Sequence, residues 1–461
     1  MDLSANKCKL PELHIGNKTA RLPIIQGGMG VGVSLSSLAG AVAKEGGVGI
    51  ISTAQIGYDD DAFEYDQAGC NLAAIKKHIR KAKEIAGGNG LVGVNIMVAL
   101  KHYKEHVKAA VAAGADVIIS GAGLPIDLPA LVDKACQTKI APIVSSKRAT
   151  QLILKMWSHK YDRTADFIVI EGPKAGGHLG FSNEQLNNTA SLDFDNEITN
   201  IIECKKEYED KYSKKIPVIV AGGIFDKQDI IHAIKLGADG VQIASRFVAT
   251  KECDASPAYK QAYINARQED VQIIQSPVGM PGRALRNAFI KQLDNSRIPI
   301  SKCYNCLEKC NPAKVPYCIT KALINAVKGD VDNGLIFCGA NVGRINEITT
   351  VHSLMKELME VYRMKGEKQE MLVSLSDFEF VVKLPRMKNK LEYEAELGQL
   401  IKTALLWLED DLSHRYGKKL LEVSPQNLLT EGYIQDKTGD VFIHEFKDYL
   451  TKVKEIGRAH V

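Results

Sequence analysis

Eight short apolar runs alternate with helical stretches between residues 20 and 265, and this alternation constrains the fold more than any other feature of the 461-residue chain. Such alternation is typical of a parallel sheet, and eight strands in ~250 residues fit a closed barrel better than an open doubly wound sheet. The sequence therefore predicts an α/β protein built on a (β/α)8 TIM barrel. The predicted strands are residues 22–25, 48–52, 91–98, 117–120, 141–145, 167–170, 217–221 and 240–244. The predicted helices, with apolar residues at helical spacing, are 34–44, 72–86, 103–113, 128–136, 150–158 and 227–236.

Glycine-rich or polar segments follow several of these strands, and in a (β/α)8 barrel the carboxyl ends of the strands carry the function. The most distinctive segment is residues 171–180, Glu-Gly-Pro-Lys-Ala-Gly-Gly-His-Leu-Gly, after the sixth strand. Its glycines let the backbone approach a flat ligand closely. His178 is the side chain there best suited to moving protons near neutral pH. A flexible loop with an incidental histidine is the alternative.

The loops after the seventh and eighth strands predict a phosphate site. Gly222 and Gly223 end the seventh strand, and residues 242–245 (Gln-Ile-Ala-Ser) end the eighth. In such barrels these two loops commonly hold a phosphate, because unobstructed backbone N–H groups at a helix N-terminus favour an anion. Two tight turns without a ligand are the alternative. We expect a cofactor with a phosphate tail.

The chain resembles the nitronate monooxygenase (2-nitropropane dioxygenase) family at six segments, both in their residues and in their order. These segments are 27–29, 93–95, 121–125, 175–180, 221–224 and 240–245. That family also includes FMN-type enoyl-ACP reductases and NADH:quinone reductases. The resemblance extends over residues 10–360 and implies an FMN-binding barrel in which His178 is the catalytic base. It implies FMN contacts at Gly27, Gly28, Met29, Asn95, Glu171, Gly176, Gly177, Gly222, Gly223, Gln242, Ile243, Ala244 and Ser245.

The resemblance implies more than one activity. A nitronate monooxygenase oxidises an alkyl nitronate or nitroalkane with O2 to a carbonyl compound and nitrite. In such an enzyme His178 would remove the α-proton of a neutral nitroalkane. An ordinary histidine pKa of ~6.5 suits that role. An NAD(P)H-dependent reductase of an enoyl thioester or a quinone is the alternative. Barrel motifs do not separate the two, because the flavin carries the chemistry. A redox sensor that binds flavin or metal is a further alternative.

Glu171 departs from the family pattern. Many members have glutamine at this position as an FMN contact. An anionic carboxylate beside the flavin would disfavour a negatively charged reduced ring. Either Glu171 is turned away from the cofactor, or the redox chemistry is shifted.

Composition and charge set limits on partners and location. With 59 basic and 55 acidic residues, the net charge of +4 gives no reason to expect nucleic acid. No apolar run approaches the ~20 residues of a transmembrane helix, and the first residues lack the layout of a signal peptide. We therefore expect a cytoplasmic protein with no membrane partner that acts on a small molecule. The sequence leaves the oligomeric state open, a homodimer included.

Four of the ten cysteines cluster in a C-x2-C-x3-C-x7-C pattern: Cys303, Cys306, Cys310 and Cys318. Four thiolates so close in sequence are enough to bind zinc or an iron–sulfur cluster. Free or redox-active thiols are the alternative, and they are expected for the other six cysteines in a reducing compartment.

The chain is predicted to divide into the barrel (1–270), an associated segment with the cysteine cluster (271–364), a small, mostly helical unit (365–454) and a non-native tail (455–461). The tail resembles a translated sequencing adapter.

Residues 181–216, with a charged helix around 204–207, form either a lid over the barrel or a surface crossover. Arg283 and Arg286, in the loop 276–287, meet a phosphate or carboxylate of the substrate or lie in solvent. The apolar stripe along 397–412 predicts a helix.

Overall fold

The structure is a computed structural model that describes residues 11–294 and 296–359, and the backbone of the strands at Gln369–Leu375 and Phe378–Leu384. The chain divides into two units, one of residues 10–360 and one of residues 1–9 with 361–461. The strands are β1 (Leu13–Ile15), β2 (Lys18–Ala20), β3 (Ile24–Gln26), β4 (Val48–Ser52), β5 (Leu91–Met97), β6 (Val117–Gly121), β7 (Lys139–Val144), β8 (Ile168–Glu171), β9 (Gly177–His178), β10 (Val218–Ala221), β11 (Gly240–Ile243), β12 (Val271–Gln275), β13 (Pro281–Leu285), β14 (Gln369–Leu375) and β15 (Phe378–Leu384). The helices are α1 (Ser36–Lys44), α2 (Gln67–Ala86), α3 (Tyr103–Ala112), α4 (Leu128–Leu131), α5 (Lys147–Tyr161), α6 (Asn183–Asn187), α7 (Phe194–Cys204), α8 (Lys206–Tyr212), α9 (Lys227–Lys235), α10 (Ser245–Val248), α11 (Pro257–Ile264), α12 (Ala288–Leu293), α13 (Ile319–Lys328) and α14 (Val351–Met359).

Eight parallel strands close into a barrel in the order β10-β11-β3-β4-β5-β6-β7-β8. Each of the eight predicted strands overlaps one of them, so the predicted (β/α)8 barrel is confirmed. Apolar side chains fill the interior, including Ile25, Ile50, Ile119, Val169 and Ile219, each almost fully buried. This agrees with the near-continuous apolar runs of the sequence, because strands covered on both faces need apolar residues in successive positions.

The hairpin of β1 and β2 closes the end of the barrel where the strands begin. Leu13 and Ile15 belong to the same buried cluster as the barrel interior. Lys18 Nζ lies 3.0 Å from Oδ1 of Asp116, the residue just before β6. The opposite end, where the strands finish, is left for the site, as expected for this fold.

A three-stranded sheet outside the barrel holds the His178 loop. Strand β13 lies between β12 and β9 and pairs with both in antiparallel register, with Gly282 opposite His178 and Arg283 opposite Gly177. The predicted loop at 276–287 therefore contains a strand. The segment after the barrel fixes the backbone of the histidine motif through this pairing.

The crossover at 181–216 forms helices that pack beside the His178 loop, where Leu186 shares a buried cluster with Ala175 and Leu179. The charged helix predicted around 204–207 is interrupted there, because α7 ends at Cys204 and α8 begins at Lys206. Neither α7 nor α8 lines the cavity where the strands end, which favours the surface crossover over the lid.

The described part of the second unit is the antiparallel hairpin of β14 and β15. The apolar stripe at 397–412 lies outside the described residues, as does the predicted tail. Among the helices that are described, none combines the length and the apolar character needed to cross a membrane.

Candidate active site

A cavity of about 240 Å³ opens where the barrel strands end. It brings together side chains and backbone from segments that are far apart in sequence. Of the predicted site residues it is lined by Gly27, Gly28, Met29, Asn95, Glu171, Gly176, Gly177, His178, Gly222, Gly223, Gln242, Ala244 and Ser245. Ile243 is the exception, because its side chain is buried in the barrel wall while its carbonyl accepts a hydrogen bond from Gly27 N at 2.8 Å.

Close packing explains the glycines on one side of the cavity. A Cβ on Gly28 would lie 2.4 Å from Asn95 Cβ, a separation that real Cβ atoms do not show. A Cβ on Gly27 would meet Ala244 and Gln242 at an ordinary 3.4 Å, so room beside Gly27 is not taken by the protein. The two glycines thus leave a flat wall, which suits a planar ring.

His178 lies in this cavity with its ring held from two sides. Its Nε2 is 2.7 Å from Ser276 Oγ, and its ring meets Phe337 edge to face with a centroid separation of 5.0 Å. Nδ1 has no hydrogen-bond partner among the residues described. For Nδ1 to accept a proton, Nε2 must carry the hydrogen and donate it to Ser276 Oγ.

Burial lowers the pKa of His178 to about 4, below the ordinary value assumed from the sequence. The charged imidazolium is disfavoured because it would lose hydration without gaining an acidic partner. At neutral pH the ring is therefore uncharged, so it can accept a proton, but it is a weaker base than an ordinary histidine.

The loops after β10 and β11 form the polar end of the cavity. Ser245 begins α10, and its Oγ accepts a hydrogen bond from Gly339 N at 3.0 Å. Asn341 Nδ2 donates to the carbonyl of Gly223 at 2.8 Å. Lys174 packs along Gly223, and Arg246 also lines the cavity. Arg246 is paired with Glu357, so the Lys174 side chain and the glycine backbone are the groups that suit an anion such as a phosphate.

Several cavity residues were not found from the sequence. They come from the segment after the barrel or from α11: Tyr259, Tyr263, Val278, Leu323, Phe337 and Asn341. Ser276 is outside the cavity lining but contacts His178, and it was also missed. Only Ser276 and Val278 had a visible signal, since they belong to the Gly/Pro-rich segment that stood out for its arginines. The others carry no motif, because their contribution depends on how the segment folds back over the barrel.

The arginines of that segment do not face the cavity. Arg283 is buried and donates to the carbonyl of Ala175, which supports the His178 loop. Arg286 lies at the surface and pairs with Asp294 at 2.7 Å. The predicted contact of either arginine with a substrate is therefore wrong.

The four clustered cysteines line one small cavity of about 30 Å³, and Cys306 also lines the central cavity. Within residues 11–294 and 296–359 no group of three or more His, Cys, Asp or Glu side chains has an arrangement that could hold a metal ion. The structure gives no support to the predicted zinc or iron–sulfur site. The nine cysteines in the described residues are free thiols.

Comparison with known proteins identifies relatives of this chain. The family model for nitronate monooxygenase matches residues 12–360. A probable nitronate monooxygenase of Staphylococcus aureus is 23% identical over 293 residues, which cover 59% of this chain and 77% of that protein. The structure of FabK from Thermotoga maritima is similar with a TM-score of 0.54 and 26% identity, covering 73% of this chain and 91% of that one. A nitroalkane oxidase from Streptomyces ansochromogenes shares the fold with a TM-score of 0.55 at 20% identity, over 74% of this chain and 95% of that one.

Proposed function

The chain belongs to the nitronate monooxygenase family and is an oxidoreductase, and we propose that it binds FMN and oxidises alkyl nitronates with O2 to a carbonyl compound and nitrite. One observation carries the proposal. A neutral histidine, oriented by Ser276, faces the same cavity as the flat wall formed by Gly27 and Gly28.

The cavity residues fit FMN at both ends. The ring would lie against the wall at Gly27 and Gly28, which both line the cavity. The polar end, with Gly223, Ser245 and Lys174, would hold the phosphate. FMN, when bound, supplies the electron acceptor for the reaction.

The nitronate, rather than the neutral nitroalkane, suits His178. A nitronate has already lost its α-proton, so the enzyme needs only to bind and orient the anion. In the tautomer whose Nε2 accepts from the Ser276 hydroxyl, Nδ1 carries the hydrogen, and neutral His178, with a pKa of about 4, can donate it to the nitronate without an unfavourable charge change. Removing a proton from a neutral nitroalkane demands a stronger base. Lys174 adds positive potential that attracts an anion, whereas the charge of Arg246 is paired with Glu357.

Steady-state turnover tests the proposed activity. Protein reconstituted with FMN is given ethyl nitronate or nitroethane under air, and nitrite release is measured together with O2 uptake. We expect nitrite from both substrates, with a higher kcat/KM for the nitronate. Failure to release nitrite from either substrate by FMN-loaded protein would contradict the proposal.

A second candidate is NAD(P)H-dependent reduction of an enoyl thioester or a quinone. The apolar side of the cavity favours it, because Leu100, Leu307, Ile319 and Leu323 would accommodate an acyl chain or an apolar ring. Oxidation of NADH or NADPH that depends on an enoyl thioester or a quinone would support this candidate.

A further inference from the structure

Glu171 stands in a row of side chains across three neighbouring barrel strands. Ala221 pairs with Glu171 on one side and with Gln242 on the other. Glu171 follows Val169 by two residues and so shares its inward face. Two polar side chains thus stand about 10 Å apart, two strand spacings, with the small Ala221 between them. The three residues line the central cavity.

The Glu171 carboxyl is not turned away from the cavity, and it has no partner in the protein. No hydrogen bond or ion pair of this carboxyl occurs within the described residues. Of the nearby positive groups, Arg246 pairs with Glu357 at 2.7 Å, and Lys174 is exposed, with its stem packed along Gly223. Glu171 is only partly exposed, and a carboxylate with little hydration and no countercharge is disfavoured.

A carboxylic acid resolves this conflict. When protonated, the group offers one O–H donor and one carbonyl acceptor, which is the same pair of functions that a glutamine amide provides. Burial acts in this direction and raises the pKa of Glu171 to about 8. Most molecules then carry the neutral acid at pH 7.

We propose that Glu171 enters the cofactor site as a neutral carboxylic acid, which donates one hydrogen bond to the edge of the flavin ring and accepts another. This inference rests on the proposed binding of FMN. A neutral Glu171 would not repel the negative charge that the flavin ring gains on reduction. It would also not repel an anionic nitronate in the cavity. Deprotonation at alkaline pH would convert the donor into a repelling charge.

The other titratable groups of the cavity do not obscure the ionisation of Glu171. Burial lowers the pKa of His178 to about 4 and raises those of Cys306 to about 11 and Cys338 to about 12. Burial also raises the pKa of Tyr259 and of Tyr263 well above the neutral range. Lys174 and Arg246 are retained in a Glu171 variant, so their contribution cancels in the comparison.

Cofactor affinity as a function of pH tests the proposal. FMN is added to three cofactor-free proteins: wild type, Glu171→Gln, and the control Glu184→Gln, which changes an exposed glutamate. The dissociation constant of FMN is measured by flavin fluorescence between pH 7 and about 9.5. Wild type and Glu184→Gln should lose affinity about tenfold per pH unit above pH 8. Glu171→Gln should bind nearly as tightly as wild type at pH 7, with little change on going to alkaline pH. Titration of the cofactor itself is common to the three proteins.

Infrared spectroscopy gives a second readout that does not depend on the variant binding FMN. The difference spectrum of wild type minus Glu171→Gln at pH 7 should contain the carbonyl stretch of a protonated carboxylic acid, which disappears at pH 9.5. Its absence in wild type at pH 7, or the same pH dependence of FMN binding in wild type and Glu171→Gln, would overturn the proposal. If none of the proteins bound FMN at any pH, the proposed function would fail instead, while the infrared band would still report on Glu171.

Discussion

Nε2 of His178 lies 2.7 Å from Oγ of Ser276, although 98 residues separate the two in sequence. Ser276 is almost fully buried, and its Oγ also accepts a hydrogen bond from Val278 N at 3.3 Å. The serine is therefore fixed by its own loop and orients the imidazole. The protonation and orientation of His178 depend on a segment that lies beyond the barrel.

Replacing His178 with asparagine should separate the two substrates. We expect kcat/KM for nitroethane to fall about 10²–10⁴-fold, the usual contribution of a general base. The loss for preformed ethyl nitronate should be much smaller, because no proton has to be removed. His159→Asn, at an exposed position on α5, is the matched control. Equal losses for both substrates would argue against proton abstraction by His178.

Replacing Ser276 with alanine should reduce turnover of the neutral nitroalkane about tenfold, which corresponds to one hydrogen bond of ~1.4 kcal/mol. The imidazole keeps its position against Phe337 but loses the partner that sets its tautomer. Ser296→Ala, at an exposed serine, should leave turnover unchanged. If Ser276→Ala matched wild type on nitroethane, the serine would not position the base.

Two neighbouring glycines should respond differently to alanine. In Gly27→Ala the new Cβ meets the protein at an ordinary 3.4 Å but occupies the cavity wall, so folding should persist while FMN affinity falls by about tenfold or more. In Gly28→Ala the new Cβ would lie 2.4 Å from Asn95 Cβ, which should cost about 1–3 kcal/mol of folding stability. Urea unfolding of the cofactor-free proteins and FMN titration give the two quantities. Loss of stability in Gly27→Ala, with FMN affinity retained, would contradict this account of the wall.

Acid should destabilise the fold through His106, which burial keeps neutral with a pKa of about 4. The unfolded chain takes up a proton near pH 6.5 but the folded chain does not, so stability present above pH 6.5 is lost as the pH falls toward 4. We expect wild type to lose about 1–2 kcal/mol from this group between pH 7 and 5. His106→Gln should lack this part of the loss, while His159→Gln, at an exposed histidine, should keep it. Identical pH dependence in wild type and His106→Gln, measured by urea unfolding, would show that His106 is not buried in its neutral form.

The barrel was predictable from sequence because its signals are local. Runs such as 48–52 and 117–120 are apolar enough to be buried on both faces, and the turns between them carry glycine. His178 and Gly28 stood out for the same reason, since each belongs to a short motif at a strand end. The pKa of His178 could not be read in this way, because it depends on burial of the ring in the folded chain. The pKa of Glu171 likewise depends on burial in the folded chain. Its neighbours Ala221 and Gln242 are set by the register of the barrel strands.

The cysteine cluster shows the limit of spacing arguments. Cys303 to Cys318 have a ligand-like pattern and do line one small cavity, yet no metal-holding arrangement exists within the described residues. Sequence spacing constrains the length of the loops between thiols but not the direction of each Sγ. The direction of each Sγ depends on how the segment packs in the folded chain.

Anaerobic mixing tests the central claim most directly. FMN-loaded protein is mixed rapidly with ethyl nitronate in one experiment and with NADH or NADPH in others, and the flavin absorbance is followed. The proposed function predicts that the nitronate reduces the flavin rapidly and that NADH and NADPH do so slowly or not at all. Rapid bleaching by NADH or NADPH, without any response to the nitronate, would contradict it.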